Sequence, residues 1–190
     1  ADRWESSMGR WSEYYERMGE RPNPLLARVL SVYAPERRDA ALDFGAGNLR
    51  DAKFLLEAGF KRVVAVDNEP QAQQFLVVGI ELESVNIRDY VPPANSFDLA
   101  LCCNTLYFLP GAGTPLVLER AWGALRAGGI FICNMLGERD EWVLEEKPVA
   151  YILETEVGDL FAGWHPLIQV AREYVAQDTG KKWHVWEFVL

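Results

Sequence analysis

Short apolar runs alternate along the chain with stretches of helical periodicity. Two of these runs are Ala40–Phe44, which ends in glycines, and Arg62–Val66, which stops at Asp67. Between them, residues 49–58 place apolar side chains at helical spacing and close at Gly59, as a helix C-terminus commonly does. This alternation predicts an α/β protein built on a mainly parallel sheet.

The same alternation continues downstream. A helix is expected to begin near Pro70, whose missing N–H costs least in a first turn. Residues 84–87, 97–103 and 130–135 predict the third, fourth and fifth strands, and residues 115–125 predict a helix before the fifth. The fourth run is almost wholly apolar, as expected of a central strand covered on both faces.

The last part of the chain has a different pattern. Residues 168–177 and 183–190 are β-prone and are separated by a polar, glycine-containing turn, which predicts an antiparallel hairpin. The predicted fold is therefore Rossmann-like: a seven-stranded, mostly parallel sheet with helices on both faces and a C-terminal antiparallel hairpin. A nicotinamide-binding Rossmann domain would continue with a parallel strand instead.

Composition narrows the choice of partner and compartment. The net charge is −9 with the acidic residues scattered, which argues against a nucleic-acid partner because phosphate binding needs a basic face. No apolar run reaches the length of a membrane span, and the charged N-terminus resembles no secretory signal. Three cysteines without a C-x-x-C pair and only two histidines predict no metal site and reduced thiols in the cytoplasm.

Acidic residues recur where the predicted strands end. Gly45 and Gly47 follow the first strand, allowing a tight turn and close approach of a ligand to the main chain. Asp43 lies beside that turn, Asp67 ends the second strand and Asp89 follows the third. Ligands of such sheets bind outside the carboxyl ends of the strands, so Asp67 is expected to accept hydrogen bonds from ribose hydroxyls and Asp89 to reach an adenine.

These motifs, taken in order, resemble those of class I S-adenosylmethionine-dependent methyltransferases. The resemblance rests on residues 41–47, 64–67, 97–100 and 125–129. Within that superfamily, residues 47–51 and 106–109 look most like TehB-type tellurite-resistance and related small-molecule methyltransferases, with weaker support from residues 159–164 and 182–184. Leu49 stands where the family often has a third glycine.

The resemblance implies an enzyme that transfers the methyl group of S-adenosylmethionine to a small molecule. It divides one domain into an N-terminal helical lid or packing segment (1–39), a cofactor-binding core (40–135) and an acceptor-side region with the hairpin (136–190). The residues it implies for the cofactor are Gly45, Ala46 and Gly47 at the methionine part, Asp67 at the ribose, Asp89 at the adenine, Asn68 and Arg88 beside the adenosine, Asn104 beside the sulfonium and Arg21 at the carboxylate. Asp43 and Asn48 are also expected among the cofactor-binding residues.

The sequence indicates the residues around the methyl acceptor less specifically than those around the cofactor. The candidates for its pocket are Tyr14, Tyr15, Tyr107, Asp140, Trp142 and His184, with Tyr107 preferred over His184 because it follows Asn104 by three residues. No catalytic residue is assigned, since methyl transfer to a soft nucleophile needs no general base, whereas a hydroxyl or carbon acceptor needs one. The acceptor and the oligomeric state remain open.

Three alternatives accompany this interpretation. A nicotinamide-dependent reductase shares the first motifs, but the third glycine and a tyrosine with a lysine four positions later are missing. A P-loop enzyme is disfavoured because its motif does not occur in the chain. A non-catalytic protein that binds S-adenosylmethionine for regulation stays open, because fold alone does not establish chemistry.

Overall fold

The computed structural model describes residues 9–33, 35–109 and 111–190. Its helices are α1 (Gly9–Met18), α2 (Pro24–Val32), α3 (Arg50–Glu57), α4 (Gly113–Ala124), α5 (Glu141–Leu144) and α6 (Val157–Leu160). Its strands are β1 (Ala40–Phe44), β2 (Arg62–Val66), β3 (Ile80–Glu83), β4 (Phe97–Cys102), β5 (Leu125–Gly137), β6 (Tyr151–Ile152), β7 (Ile168–Val175) and β8 (Lys182–Val189). Short 3₁₀ turns occupy Pro70–Phe75, Leu106–Phe108 and Glu154–Glu156.

The strands form one sheet in the order β3-β2-β1-β4-β5-β8-β7. The first five strands of this order pair in parallel, while β8 pairs antiparallel with both β5 and β7. The predicted Rossmann-like sheet with a C-terminal hairpin is confirmed. Beyond the seven strands of this order, the short strand β6 pairs in parallel with the end of β5.

The sheet is covered on both faces by separate hydrophobic clusters. Ala40, Leu42 and Phe44 of β1 belong to one cluster, and Ala41 belongs to the other, as the alternation of side chains along a strand requires. Helix α4 contributes to the first cluster, and helices α2 and α3 contribute to the second. Burial on both faces explains why β1 and β4 are apolar along most of their length.

The third strand differs from its predicted position. Residues 84–87 were expected to form it, whereas β3 is Ile80–Glu83, paired with β2. Ile80 is buried and anchors the strand, while residues 84–86 are exposed and turn away from it. The alternation of Val85 and Ile87 with polar residues imitates a strand, so the prediction was wrong by about one strand length.

Two further expectations on the elements are corrected. The helix expected at Pro70 is a 3₁₀ turn, Pro70–Phe75, with the proline in its first turn. Strand β5 runs from Leu125 to Gly137 and so exceeds the predicted residues 130–135 at both ends. Within the described ranges, no helix has both the length and the apolar character needed to cross a bilayer.

Candidate functional site

A cavity of about 250 Å³ lies where β1, β2 and β4 end. The strand order reverses between β1 and β4, which opens a crevice at the carboxyl edge of the sheet. The cavity is lined by Trp11, Tyr14, Tyr15 and Met18 of α1, and by residues 45–48, 50, 51, 67–69, 86, 87, 103–105, 108 and 109. Five segments of the chain thus converge on one pocket.

The loop after β1 is held against the carboxylate that follows β2. The backbone N–H of Gly47 donates to Asp67 Oδ2 at 2.7 Å, and the N–H of Glu69 donates to Asp67 Oδ1 at 2.8 Å. Each oxygen retains accepting capacity for a ligand hydroxyl. Burial raises the pKa of Asp67, and the two N–H donors act against this shift.

Glycine is required at position 47 for two reasons. Its φ is +52°, a left-handed conformation that side chains disfavour. A Cβ at this position would lie 2.8 Å from the ring of Tyr15. The loop backbone and Tyr15 are therefore in direct contact across the cavity wall.

Asp43, at the end of β1, is a buried carboxylate next to this loop. It is 3% exposed, and its Oδ2 has no hydrogen-bond partner among the described residues. Burial raises its pKa well above the usual value, and repulsion from Asp51 and Asp67 raises it further, while Arg50 opposes the shift. Asp43 does not itself line the cavity, but both of these carboxylates do. A positive group bound there would relieve this unpaired negative site.

Arg50 and Asp51 open helix α3 and bring both signs of charge to the cavity. Asp51 Oδ1 accepts the backbone N–H of Asn23 at 2.6 Å, and Arg50 Nε lies 3.9 Å from the same oxygen. Sequence reasoning missed both residues. Their position in the sequence could have identified them, because they directly follow the glycine loop and lie in the first turn of a helix.

Helix α1 forms one wall of the cavity. Trp11, Tyr14, Tyr15 and Met18 follow the helical spacing of three, four and seven residues and lie on one face. The side chain of Asn48 donates to the carbonyl oxygen of Gly19 at 3.0 Å, which ties the end of α1 to the glycine loop. Tyr14 and Tyr15 were predicted pocket residues, whereas Trp11 and Met18 were missed although the same spacing includes them.

Asn104, immediately beyond β4, also lines the cavity. Its φ is +56°, a conformation that asparagine tolerates better than most residues. Its side chain hydrogen-bonds to the hydroxyl of Tyr14. Burial raises the pKa of that tyrosine.

The structure brings together most, but not all, of the predicted cofactor residues. Those that line the cavity are Gly45, Ala46, Gly47, Asn48, Asp67, Asn68 and Asn104. Arg21, Arg88 and Asp89 are exposed and lie outside its lining. Because β3 ends at Glu83, Asn86 and Ile87 occupy the cavity edge where the sequence placed Asp89.

Four predicted acceptor residues lie outside the lining: Tyr107, Asp140, Trp142 and His184. Asp140 is fully buried and accepts hydrogen bonds from Lys181 Nζ at 2.7 Å and from the backbone N–H groups of Trp142 and His184 at 3.0 and 3.1 Å. This cluster fastens the β7–β8 hairpin to α5. Phe108, the neighbour of Tyr107, lines the cavity in its place.

Comparison with known proteins gives one family and several similar folds. Residues 41–129 match the family described as a methyltransferase domain. No curated protein sequence matches the chain significantly. Among solved structures, a Haloferax volcanii protein in complex with the Trm112 methyltransferase activator aligns with a TM-score of 0.73 at 17% identity, covering 100% of this chain and 97% of its own.

Two further structures have a similar fold. The 1,6-didemethyltoxoflavin-N1-methyltransferase of Burkholderia thailandensis, solved with its substrate and S-adenosylhomocysteine, aligns with a TM-score of 0.69 at 21% identity, covering 98% of this chain and 84% of that one. TehB of Haemophilus influenzae aligns with a TM-score of 0.70 at 14% identity, covering 86% of this chain and 60% of that one. At such identities the likeness to TehB shows the fold alone.

The family match covers β1 to β4 and the loops after them that line the cavity, but not helix α1 or the C-terminal strands, and the shared fold extends over the rest of the described chain. Residues 41–129 therefore form a methyltransferase domain, and the chain has the fold of solved S-adenosylmethionine-dependent methyltransferases.

Proposed function

We propose that this enzyme methylates a small molecule that enters the cavity beneath helix α1. The observation that carries the proposal is the cover that α1 provides on one side of the cavity: α1 is bonded to the glycine loop through Asn48, and Tyr15 packs directly on Gly47. A segment of a macromolecule would need an open groove at this position. The acidic net charge of −9 also disfavours a nucleic-acid acceptor.

The cavity residues match the chemical parts of S-adenosylmethionine. Asp51, which lines the cavity, suits the ammonium group, and the unpaired carboxylate of Asp43 is buried next to the glycine loop; the Arg50 guanidinium suits the carboxylate. Asp67, fixed by two backbone N–H groups, suits the ribose hydroxyls. Asn86 and Ile87 offer a polar and an apolar contact for the adenine.

The bound cofactor supplies a methyl group activated by a sulfonium centre. The contribution of the chain is to hold the acceptor in line with that group and to exclude water. Helix α1 contributes to the exclusion of water, because its aromatic face covers one side of the cavity. Asn104, fixed at the end of β4, provides a polar contact at the junction of the cofactor loop and the aromatic face.

Replacement of Asp67 by alanine tests the cofactor assignment. Calorimetry with S-adenosylhomocysteine should show binding weakened by about 1–3 kcal/mol, the cost of losing a charge-assisted hydrogen bond. Asp89→Ala is the matched control, because Asp89 is exposed and outside the cavity lining. Equal affinities of the Asp67 variant and the wild type would refute the ribose assignment. Weakened binding in the control would restore the original assignment of Asp89.

A screen of methyl acceptors tests the proposed function itself. Small thiols, amines, phenols and chalcogen oxyanions are incubated with labelled S-adenosylmethionine, in parallel with a protein extract and with RNA. Labelling of small molecules alone is the expected result. Transfer only to protein or RNA would overturn the proposal.

A further inference from the structure

Four aromatic rings form a continuous wall of the cavity, here called the aromatic wall: Trp11, Tyr14, Tyr15 and Phe108. Trp11 meets Phe108 edge-to-face with ring centroids 5.2 Å apart and meets Tyr14 in the same manner at 5.6 Å. It stacks with Tyr15 at 6.1 Å. The wall therefore bridges α1 and the 3₁₀ turn Leu106–Phe108.

Proton acceptors are available beside this wall. Asp51, Asp67 and Glu69 are carboxylates of the cavity lining, and burial raises the pKa of each of them. The wall therefore selects an acceptor by its ring and not by the protonation state of its nucleophile.

Two kinds of group pack on aromatic faces: a cation and another aromatic ring. The sulfonium of the cofactor places a positive charge beside the wall when it is bound, which opposes a second cation there. An aromatic ring meets no such repulsion.

We propose, resting on the function proposed above, that the acceptor is an aromatic compound. Its ring packs on the aromatic wall, and its nucleophile faces the methyl group. In the transfer, a bond forms between the nucleophilic atom and the methyl carbon while the bond from that carbon to the sulfonium sulfur breaks, and the electron pair remains on that sulfur. A nucleophile that carries a proton releases it to water or to a carboxylate of the lining.

Binding measurements isolate the role of the ring from that of the nucleophile. Benzyl methyl sulfide and cyclohexylmethyl methyl sulfide are thioethers of similar size that neither ionise nor react as thiols. Calorimetry on the complex with S-adenosylhomocysteine should show the benzyl compound binding about 3–10-fold more tightly, the range expected for an aromatic pair beyond area burial. Equal affinities would overturn the aromatic assignment.

Two variants connect that preference to the wall. Trp11→Leu and Phe108→Leu keep an apolar side chain but remove the ring, so each should reduce the preference for the benzyl compound to less than about twofold. Trp122→Leu is the matched control because Trp122 is 55% exposed and lies outside the cavity lining. A preference that survives in both wall variants contradicts the proposal. Since Trp11 and Phe108 belong to different elements, loss of folding in one variant leaves the other informative.

Binding of S-adenosylhomocysteine is measured first and separates the two proposals. A protein that does not bind it would refute the proposed function, whereas a protein that binds it without preferring the benzyl compound would refute only the aromatic acceptor.

Discussion

Asn104, two residues beyond β4, and Asn134, within β5, hold each other through two hydrogen bonds. The backbone N–H of Asn104 donates to Asn134 Oδ1 at 2.6 Å, and Asn134 Nδ2 donates to Asn104 Oδ1 at 2.7 Å. Because a backbone N–H can only donate, the first bond fixes which atom of the Asn134 amide is oxygen, and the second then fixes Asn104. The Asn104 amide therefore presents Nδ2 as its free donor, which accounts for its hydrogen bond to the Tyr14 hydroxyl.

Substitution of Asn134 by aspartate should break one of these bonds and keep the other. An aspartate at position 134 can still accept a hydrogen bond from the Asn104 N–H. Its second oxygen, however, would face Asn104 Oδ1, and two acceptors repel each other. We expect the free energy of unfolding to fall by about 1–3 kcal/mol, because position 134 is buried. Denaturation in urea measures the loss, and methyl-transfer kinetics should show a lower kcat.

The matched control is Asn95→Asp. Asn95 also has a positive φ, +49°, but is exposed. Its substitution should change the free energy of unfolding by less than about 0.5 kcal/mol. If both variants lose the same stability, the amide pair is not the cause.

Leu49 combines an unfavourable backbone with a favourable side chain. Its φ is +60° at the N-cap of α3, yet its side chain is completely buried. Leu49→Ala should lower the free energy of unfolding by about 2–5 kcal/mol through the cavity it leaves. Leu49→Gly loses the same contacts but relieves a left-handed strain of about 1–2 kcal/mol, so it should equal or exceed the alanine variant in stability. Urea denaturation of both variants measures the difference.

At Leu55, in the same helix, the alanine variant is expected to be more stable than the glycine variant. Leu55 is equally buried but lies inside α3, where glycine should be about 1 kcal/mol less stable than alanine. The order of the glycine and alanine variants should therefore reverse between positions 49 and 55. The same order at both positions would show that the backbone of Leu49 is not strained.

The sequence was sufficient to predict the sheet and the cofactor loop because both depend on local pattern. Gly45, Gly47 and Asp67 stand at strand ends that apolar runs mark clearly, and these residues line the cavity. Asp89 was misplaced because a four-residue strand, Ile80–Glu83, has a weaker pattern than the alternation that follows it. Because the strand ends four residues earlier than predicted, Asn86 and Ile87 line the cavity edge instead of Asp89.

The acceptor side could not be predicted from local pattern, because it depends on contacts between distant segments. Tyr107 and Phe108 are neighbours in sequence, and only the packing of α1 and α5 decides which of them faces the cavity. Asp140 and His184 resemble catalytic residues in sequence, yet Lys181 and the backbone of the hairpin use Asp140 as a structural acceptor. Such roles arise from tertiary hydrogen bonding, which spacing along the chain does not encode.

The unpaired Asp43 predicts a conflict between stability and cofactor binding. Asp43→Asn removes a buried charge and its repulsion from Asp51 and Asp67, so the free energy of unfolding without ligand should rise by about 1–3 kcal/mol at neutral pH. The pKa of Asp43 is raised in the folded state, so the folded protein binds the proton more strongly than the unfolded chain. The wild type should therefore gain stability relative to the variant as the pH falls through that raised pKa. Urea denaturation across this pH range measures the difference, and S-adenosylhomocysteine should bind the variant more weakly.

Asp98→Asn separates this effect from a general benefit of removing buried charge. Asp98 is 4% exposed but fully engaged: it accepts from the N–H groups of Asp39 and Ala40 at 2.8 and 3.0 Å and from Arg126 at 2.9 Å. Its replacement should destabilise the protein, opposite in sign to the Asp43 variant. Stabilisation by both substitutions would mean that the missing partner of Asp43 is irrelevant.

Arg50 and Arg21 make competing predictions about the cofactor carboxylate. Arg50 lines the cavity and is mostly buried, whereas Arg21, the residue suggested by the sequence, is exposed outside it. Arg50→Gln should weaken the binding of S-adenosylhomocysteine by about 1–3 kcal/mol, whereas Arg21→Gln should leave its affinity within about twofold of the wild-type value. The two variants differ only in position, so calorimetry on both assigns the carboxylate to one arginine.

A second ligand shows whether Arg50 acts on the carboxylate itself. 5′-Methylthioadenosine keeps the nucleoside and the sulfur but lacks the amino-acid part of S-adenosylhomocysteine. If Arg50 pairs with the carboxylate, Arg50→Gln weakens the binding of S-adenosylhomocysteine. The affinity for 5′-methylthioadenosine stays unchanged, because the ribose and adenine contacts at Asp67 and Ile87 are intact. Equal weakening of both ligands would mean that the substitution disturbs the first turn of α3, where Asp51 holds the N–H of Asn23, and acts through the fold. The ratio of the two affinities therefore separates a direct contact from a structural role.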